Sequence, residues 1–548
     1  MNHDSRQPDG AAPDSRAAAP RGRRLPGPWA GAILIICVVA IALLQPVGPV
    51  VNLSRADTNI AVLVLGLVAL ATLLVWFLRY SAYPARLRHA TGWSLLGVGV
   101  ALVVLFRIDH VSGDLVPSLA FRWHRAADRA LQRPDALAAE VDLSATTEKD
   151  FPEFLGPNRQ NDLPHLMLER DWQTHPPRQL WEVSVGAGWS GFSIVNGYAV
   201  TMEQRGDEEL VTCLDIADGR VQWFHAVEAR HETLLGGVGP RSTTTIYDGK
   251  VYALGATGIL RCLDGATGRE IWTDNILART GVSPQEDIQG IAWGRAASPL
   301  VVGDLVVVPW GGPAGGPYVS LAAYDRHDGR LVWTAGEYQA SFSSPTLATI
   351  DGTPQILIVN QDYVTGHDAV SGEVLWQCPW PGSSSSSANV SQPVLLPPDR
   401  VLLSKGYGGG AKVVRVIHAG DGAWRVEEVW ASSRLLQTKF TNVVVRGDYA
   451  YGLSDGILEC IDVVAGRRQW KGGRYGQGQV LGVGDALLVQ AESGDVVLVA
   501  ARPDRHDEIA RFPALAGKTW NNPSLFGNRL LVRNAETAAC YELVLGDS

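Results

Sequence analysis

One short pattern recurs along this 548-residue chain and constrains its fold more than any other feature. It consists of an apolar strand, an Asp, two or three turn residues, a Gly, and a Trp four residues after the Gly. The Asp side chain accepts hydrogen bonds from the turn it opens, and the Gly supplies the positive φ of a tight antiparallel connection. Five such hairpins indicate a repeat protein. The copies run over 214–223, 262–272, 324–333, 367–376 and 461–470.

Aromatic anchors follow one another at intervals of roughly 40 to 60 residues, the length of a four-stranded propeller blade. Counting the stretch after the last anchor gives eight units. The high Gly and Pro content, 59 and 31 residues, also favours many turns. The sequence therefore predicts an all-β, eight-bladed propeller of four-stranded antiparallel blades. We expect its structural anchors to pack between blades; they are Trp181, Trp223, Trp272, Trp333, Trp376, Trp430, Trp470 and Phe512.

Both ends of the repeat array lack a part that the other end has. The last unit has no Trp after its final strand, and the strand around Trp181 has no Asp-Gly turn before it. We therefore expect the N-terminal strand to complete the last blade and close the ring. A small polar residue, often followed by Pro, opens the innermost strand of each unit. The fifth and seventh units lack the Asp-Gly recipe, so their turns are expected to differ.

Three apolar runs near the N-terminus, at about 29–44, 60–78 and 90–106, predict about three transmembrane helices. They follow a basic tail, residues 1–28, that is predicted to be disordered. A signal peptide is the alternative for the first run. Arg residues are more frequent in the tail and in the loop after the second run than in the first loop, which places the chain after residue 106 outside the cytoplasm. The prediction is an inner-membrane protein with a periplasmic propeller.

Residues 107–149 separate the apolar runs from the repeats. The spacing of Leu119, Trp123 and Leu131, with Arg residues on the other side, predicts one amphipathic helix over 118–133. Such a helix would lie on lipid or pack against the propeller. A linker follows it, and the propeller domain is predicted to span 150–548.

The Asp-Gly-Trp recipe resembles the repeat of pyrroloquinoline-quinone-type (PQQ-like) β-propellers. This is the fold of quinoprotein alcohol dehydrogenases and of the lipoprotein scaffold of the outer-membrane protein assembly machine. Phe154-Leu155-Gly156-Pro157-Asn158-Arg159 resembles a motif of the mostly uncharacterised bacterial branch of this family. The resemblance covers about residues 150–546 and implies either a scaffold or a quinoprotein dehydrogenase.

A quinoprotein would hold PQQ beside Ca²⁺, and the resemblance implies a pair of adjacent cysteines against the quinone. The six cysteines include no adjacent pair, no c-type haem motif and no zinc-finger spacing. Four of them occupy one repeat position and are expected to fill strands. Glu286 and Asp287 are isolated acids that are more typical of a solvated loop than of ligands. We expect no catalytic residue, no metal site and no resident cofactor, with PQQ and Ca²⁺ as the alternative.

Basic and polar residues cluster where the innermost strands begin, which predicts a basic throat that binds an anion or acidic group in the central funnel. The net charge of −9 argues against nucleic acid as the main partner. The function expected first is a membrane-anchored scaffold for envelope proteins or polymers. A binder of a small anionic ligand and a quinoprotein oxidoreductase are the alternatives. The predicted throat residues are Arg241, Arg295, Lys439, Asn442, Arg474, Gln479, Lys518 and Asn522.

Overall fold

The computed structural model describes residues 25–47, 55–382, 384 and 386–546. Most of the predicted basic tail, residues 1–24, lies outside the described residues. The chain divides into two compact units: Met1–Val51 with Asp57–Arg107, and Asn52–Ala56 with Ile108–Ser548.

The first unit is helical, as the apolar runs predict. Helix α1 spans Pro28–Val47, α2 spans Arg55–Val75 and continues through a π-helical turn at Trp76–Tyr80, and α3 spans Ala85–Leu105. Two of these stretches, Arg55–Tyr80 and Ala85–Leu105, are long and apolar enough to cross a membrane, and Pro28–Leu44 is a shorter apolar helix.

The prediction of one amphipathic helix over 118–133 is wrong. Residues Pro117–Phe121 instead form a strand paired with Phe106–Val111, and only the single turn α4, Ala127–Ala130, is helical. The side chains alternate along this strand, with Leu119 and Phe121 exposed and Ser118 and Ala120 less so. Apolar residues two positions apart satisfy a strand period, and this local pattern prevails over the weaker helical spacing.

Eight antiparallel four-stranded sheets form the blades of the propeller, and blades 1 to 7 run consecutively from an inner strand A to an outer strand D. In blade 7 a short additional strand, Asp162–Leu163, pairs in parallel with strand A. Blade 1 comprises Ser193–Val195, Tyr198–Arg205, Glu208–Asp215 and Val221–Glu228, and blade 2 comprises Thr245–Tyr247, Lys250–Leu254, Ile259–Asp264 and Glu270–Asn275. Blade 3 comprises Leu300–Val302, Leu305–Gly311, Val319–Asp325 and Leu331–Ala335, and blade 4 comprises Thr346–Ile350, Thr353–Val359, Tyr363–Asp368 and Val374–Pro379. Blade 5 comprises Val394–Leu396, Arg400–Lys405, Gly410–His418 and Trp424–Ser432, and blade 6 comprises Val444–Arg446, Tyr449–Ser454, Ile457–Asp462 and Arg467–Arg474. Blade 7 comprises Gln479–Val483, Ala486–Gln490, Asp495–Ala500 and Glu508–Pro513.

Blade 8 is closed by the strand that precedes all the others. Its strands Ser524–Phe526, Arg529–Arg533 and Thr537–Glu542 pair with Arg178–Ser184, and Cys540 lies opposite Trp181. The predicted closure of the ring is confirmed, because blade 8 takes its strand D from the N-terminal end of the repeat array.

The order of strands gives the propeller two faces. Turns between strands A and B and between C and D lie on one face, called the turn face. Turns between B and C and the connections to the next blade lie on the other, called the loop face. Two short helices, α5 at Ile276–Thr280 and α6 at Pro284–Gly290, and a hairpin of Glu232–Thr233 with Gly237–Val238 belong to these connections.

Each Asp-Gly turn between strands C and D holds the Trp of the preceding blade. The indole Nε1 of Trp223 donates to the Gly265 carbonyl in the next C–D turn at 3.0 Å. Trp181, Trp272, Trp333, Trp430 and Trp470 donate to the following blade in the same way, at 2.7–3.1 Å. A Cβ on Gly268 would lie 2.3 Å from the Trp223 ring. The turn Gly is therefore required for packing as well as for its positive φ.

We expect Gly268→Ala to lower the free energy of unfolding by about 2–5 kcal/mol, of which the left-handed φ of +71° accounts for about 1–2 and the clash with Trp223 for the rest. Gly352→Ala is the matched control, because Gly352 has a φ of +72° and an added Cβ there would have no atom within 4 Å. Urea denaturation of both variants separates the two costs. Equal losses would contradict a packing role for the turn Gly.

The irregular units differ as predicted. Blade 5 replaces the Asp-Gly turn with a longer hairpin, Gly410–His418 and Trp424–Ser432, and Trp376 of blade 4 donates within its own blade, to Gln355 Oε1 at 2.7 Å. Blade 7 ends in Phe512, whose ring centroid lies 4.9 Å from that of Tyr541 in blade 8. The described cysteines are free and buried, and burial raises the pKa of the Cys262 thiol to about 12, as expected of strand-filling residues.

One buried histidine makes the stability of blade 4 depend on pH. His367 Nδ1 donates to the Gly372 carbonyl at 2.9 Å, so Nε2 accepts from Thr365 Oγ1 at 2.8 Å. Burial lowers the pKa of His367 from 6.5 to about 4. Between these values the unfolded chain binds a proton that the folded chain does not, so stability falls as the pH drops below 6.5.

We expect the wild-type protein to lose about 2 kcal/mol more than His367→Asn between pH 8 and pH 5. The packing cost of the substitution is measured separately at pH 8, where the ring is neutral in both states. Urea unfolding at the two pH values gives both numbers. Parallel pH profiles for the two proteins would show that His367 does not titrate in this range.

Candidate functional site

The residues that open the inner strands lie around the propeller axis, and hydrogen bonds join several neighbours among them. Gly191 N donates to Thr243 Oγ1, Thr243 N to Ser298 Oγ, and Ser298 N to Ser344 Oγ, at 2.9–3.0 Å. On the other side of the ring, Gln392 N donates to Asn442 Oδ1 at 2.8 Å and Asn522 Nδ2 donates to Gln479 Oε1 at 3.3 Å. The recurrent small polar residue thus links blades. The entry ring is Gly191, Thr243, Ser298, Ser344, Gln392, Asn442, Gln479 and Asn522.

A second layer lies two residues before the entry ring, on its loop-face side. Four of its members are aromatic, and together with two loop aromatics they form an aromatic cluster whose neighbouring ring centroids lie 4.8–6.3 Å apart. Sequence reasoning missed this cluster. The signal was present, because an aromatic residue stands at the same distance before the ring position in blades 1, 4, 6 and 8. The cluster consists of Trp189, Trp293, Phe342, Tyr407, Phe440 and Trp520.

Three of the predicted throat cations are held by local partners. Arg241 donates to the carbonyls of Gly236 and Gly237 at 2.7 and 3.0 Å, and burial lowers its pKa to about 9. Arg295 is buried and pairs with Asp287 at 2.8 Å. Lys439 is buried and lies 3.0 Å from Asp455. These charges are compensated within the propeller.

The polar members of the predicted site serve the entry ring. Asn442 accepts from Gln392 of the preceding blade, and Gln479 Nε2 donates to the carbonyls of Phe440 and Trp520 at 2.9 and 2.8 Å. Asn522 binds Gln479. These side chains join blades 5, 6, 7 and 8, and the structure brings them together as the sequence predicts.

Lys518 and Arg474 lie at the rim of the throat. Lys518 Nζ lies 4.1 Å from the centroid of Trp520 and 4.7 Å from that of Trp189. Burial lowers the pKa of Lys518 to about 8. Arg474 is exposed, and partial desolvation lowers its pKa. Both line a cavity of about 390 Å³, whose wall also includes His110, Ser112, Tyr475, Glu492 and Arg511.

A segment of the chain itself fills the turn-face side of the axis. The plug segment, residues 150–163, contains the Phe-Leu-Gly-Pro-Asn-Arg motif and pairs with inner strands at Ile194, through backbone hydrogen bonds of Phe151, and at Gly482, beside Asp162. Buried Arg159 binds Glu153 at 2.7 Å and the Pro345 carbonyl at 2.8 Å, and also donates to the carbonyls of Ser298 and Pro299. One guanidinium therefore joins blades 3 and 4 to the plug.

Blades with Asp-Gly turns and interlocking Trp residues, arranged eightfold, define a PQQ-like β-propeller. A family model described as outer membrane protein assembly factor BamB matches residues 171–292 and 291–472, which is more than half of the chain. The chain belongs to this family of PQQ-like propeller proteins.

Individual relatives are more distant. The quinohemoprotein alcohol dehydrogenase of Comamonas testosteroni is 25% identical over 196 residues, 33% of this chain and 24% of the relative, so the match spans about a quarter of its length. The solved structure of BamB from Moraxella catarrhalis is 16% identical with a TM-score of 0.47, covering 67% of this chain and 99% of that one. That of the Comamonas dehydrogenase is 14% identical with a TM-score of 0.41, covering 74% and 82%.

The residues of this throat do not fit PQQ and its calcium. A planar quinone between two rings needs about 7 Å between their planes, twice a van der Waals contact. The rings of the aromatic cluster instead contact one another. In the part of the chain that the structure describes, no group of three His, Cys, Asp or Glu side chains is placed to hold a metal ion. Glu286 caps α6 through Ser283, and Asp287 is bound by Arg295.

Proposed function

We propose that this protein is a membrane-anchored scaffold of the cell envelope, with its propeller in the periplasm and its loop face presented to protein or polymer partners. The observation that carries the proposal is the hairpin tip between Glu232 and Val238, where Leu234 and Leu235 are 58% and 48% exposed. Adjacent exposed leucines on a short rigid hairpin are typical of a protein contact. The hairpin rests on Trp189, whose indole donates to the Gly236 carbonyl at 2.7 Å.

The closed axis supports the same conclusion. The plug segment occupies the turn-face side and the aromatic cluster occupies the throat, so a partner meets the outer surface of the loop face. Ile288 of α6, on the next connection along the ring, is also exposed. The family model is named for an outer-membrane protein assembly factor, which agrees with a role in bringing other proteins together.

Photo-cross-linking in native membranes tests the scaffold. A photoreactive amino acid at Leu234 should yield a discrete protein adduct, and the same amino acid at Val370, 78% exposed in a C–D turn on the opposite face, should not. Adducts at both positions or at neither would contradict a docking surface on the loop face.

Cysteine labelling of the full chain tests the topology. The described cysteines are buried, so Val370→Cys adds an accessible thiol. An impermeant maleimide should label Val370→Cys in intact spheroplasts and leave the wild type unlabelled. Labelling only after lysis would place the propeller in the cytoplasm.

A further inference from the structure

The rim of the throat already holds a peptide, and this peptide belongs to the chain. Residues Val111–Asp114, called the cap segment, begin at the end of the strand that comes directly after α3. Lys518 Nζ donates to the Val111 carbonyl at 3.1 Å. The Gly113 amide donates to Glu492 Oε1 at 2.7 Å. A cation thus takes a backbone carbonyl of the segment and an anion takes a backbone amide. The segment forms the turn between two paired strands, in which Leu115 N donates to the Ser112 carbonyl at 2.9 Å, so the site binds the backbone of a turn.

The fit around Gly113 is close. A Cβ at this position would lie 2.2 Å from Cγ of Gln477, so any other amino acid in place of Gly113 would have to displace the Gln477 side chain. The Glu492 carboxylate is held in position to accept from Gly113, because it also accepts from Trp520 Nε1 at 3.0 Å and from the backbone amide of Gln477 at 2.9 Å. The backbone contacts of the segment therefore fit the site without any contribution from its side chains.

An acidic side chain enters the same site. Burial raises the pKa of Asp114, and the charge of Lys439 opposes this rise. The surroundings hold polar groups that the propeller does not satisfy. Both side-chain amide atoms of Gln477 are buried without a hydrogen-bond partner among the described residues.

Space remains beside the segment. The cavity of about 390 Å³ that contains Arg474 and Lys518 is bounded on one side by His110 and Ser112. A cationic cavity next to a bound acidic segment indicates that the throat can accommodate a longer or differently placed ligand than the one it holds.

We propose that the throat is a binding site for a short acidic turn of a peptide, and that the cap segment occupies it as an intramolecular ligand. A segment of another protein binds there only when it displaces the cap segment. That the displacing segment comes from an envelope partner rests on the proposed scaffold function, whereas the existence of the peptide site does not. The tethered segment has an effective concentration of about 1 mM, so it excludes weak competitors.

Binding of a fluorescent peptide with the sequence of residues 108–117 to the full-length protein in detergent micelles tests this site. Gly113→Val forces the cap segment out, and we expect this variant to bind the peptide at least tenfold more tightly than the wild type. Gly420→Val is the matched control, because Gly420 has no atom within 4 Å of an added Cβ and should bind like the wild type. A second variant replaces residues 109–114 with a Gly/Ser linker of equal length and should also bind tightly.

Two further comparisons establish specificity. Adding Lys518→Met to Gly113→Val should weaken peptide binding at least tenfold, and a peptide carrying Gly113→Val and Asp114→Asn should not bind. If neither the Gly113→Val nor the linker variant binds more peptide than the wild type, or if both bind the altered peptide equally well, the proposal is wrong. Cross-linking at Leu234 does not use this site, so its outcome is separate.

Discussion

Arg159→Met is expected to lower the free energy of unfolding by about 3–5 kcal/mol, the usual cost of removing one partner from a buried ion pair. The guanidinium of Arg159 is almost completely buried, and it binds Glu153 and the carbonyls that precede the inner strands of blades 3 and 4. Without it, Glu153 loses its cation and several carbonyls lose their donor. Urea denaturation of the full-length protein measures the loss.

Arg178→Met is the matched control. Arg178 pairs with Glu542 at 2.6 Å, but its side chain is 68% exposed, so the pair should contribute less than about 1 kcal/mol. If the two variants are equally stable, Arg159 does not hold the plug segment in place. Proteolysis provides a second measurement, because a released plug segment should be cleaved between residues 150 and 163 in Arg159→Met alone.

Replacing the closing strand, Arg178–Ser184, with a Gly/Ser sequence of equal length should abolish cooperative folding. This strand pairs along Thr537–Glu542 and carries Trp181, which packs on the first C–D turn. Its loss exposes the edge of blade 8 and breaks the contact that joins the two ends of the ring. We expect loss of the cooperative unfolding transition and aggregation of the purified protein.

The control for this replacement lies in blade 5. A Gly/Ser replacement of residues 419–423, the exposed tip of the long hairpin, should change the urea midpoint little, because these residues form no inter-blade contact of this kind in the described chain. Cooperative unfolding of the closing-strand variant would show that blade 8 is stable with three strands.

The fold could be predicted because its determinants are local and repeated. Each Asp-Gly turn and each Trp can be recognised within one repeat. Comparison of the copies then distinguishes the positions that the fold requires from those that vary. The same reasoning placed the closing strand, because two incomplete repeats complement each other. It failed for 118–133, where a period-2 exposure pattern and a helical spacing coexist over few residues and no second copy exists for comparison.

The placement of three predicted throat residues could be foreseen, whereas their binding of a ligand stays a prediction. Asn442, Gln479 and Asn522 do meet at the axis, since equivalent positions of a ring must face one another. The partner that holds each cation could not be predicted, because these partners lie in turns, connections and insertions that have no equivalent in the other repeats. Arg295 is neutralised by Asp287 of an inserted helix, and Lys518 binds Val111 from a segment about 400 residues earlier. Spacing arguments do not detect a pair as distant in sequence as Lys518 and Val111.

The indole of Trp376 gives the ring a preferred place to open. At the other boundaries marked by Trp, the indole hydrogen bond crosses to the following blade, whereas Trp376 donates to Gln355 within blade 4. Separating blades 4 and 5 therefore breaks no such bond, although their side chains pack together. Under a pulling force, we expect the first rupture at this seam or between blades 7 and 8, where Phe512 takes the place of the Trp. Single-molecule extension should record this opening as the initial step.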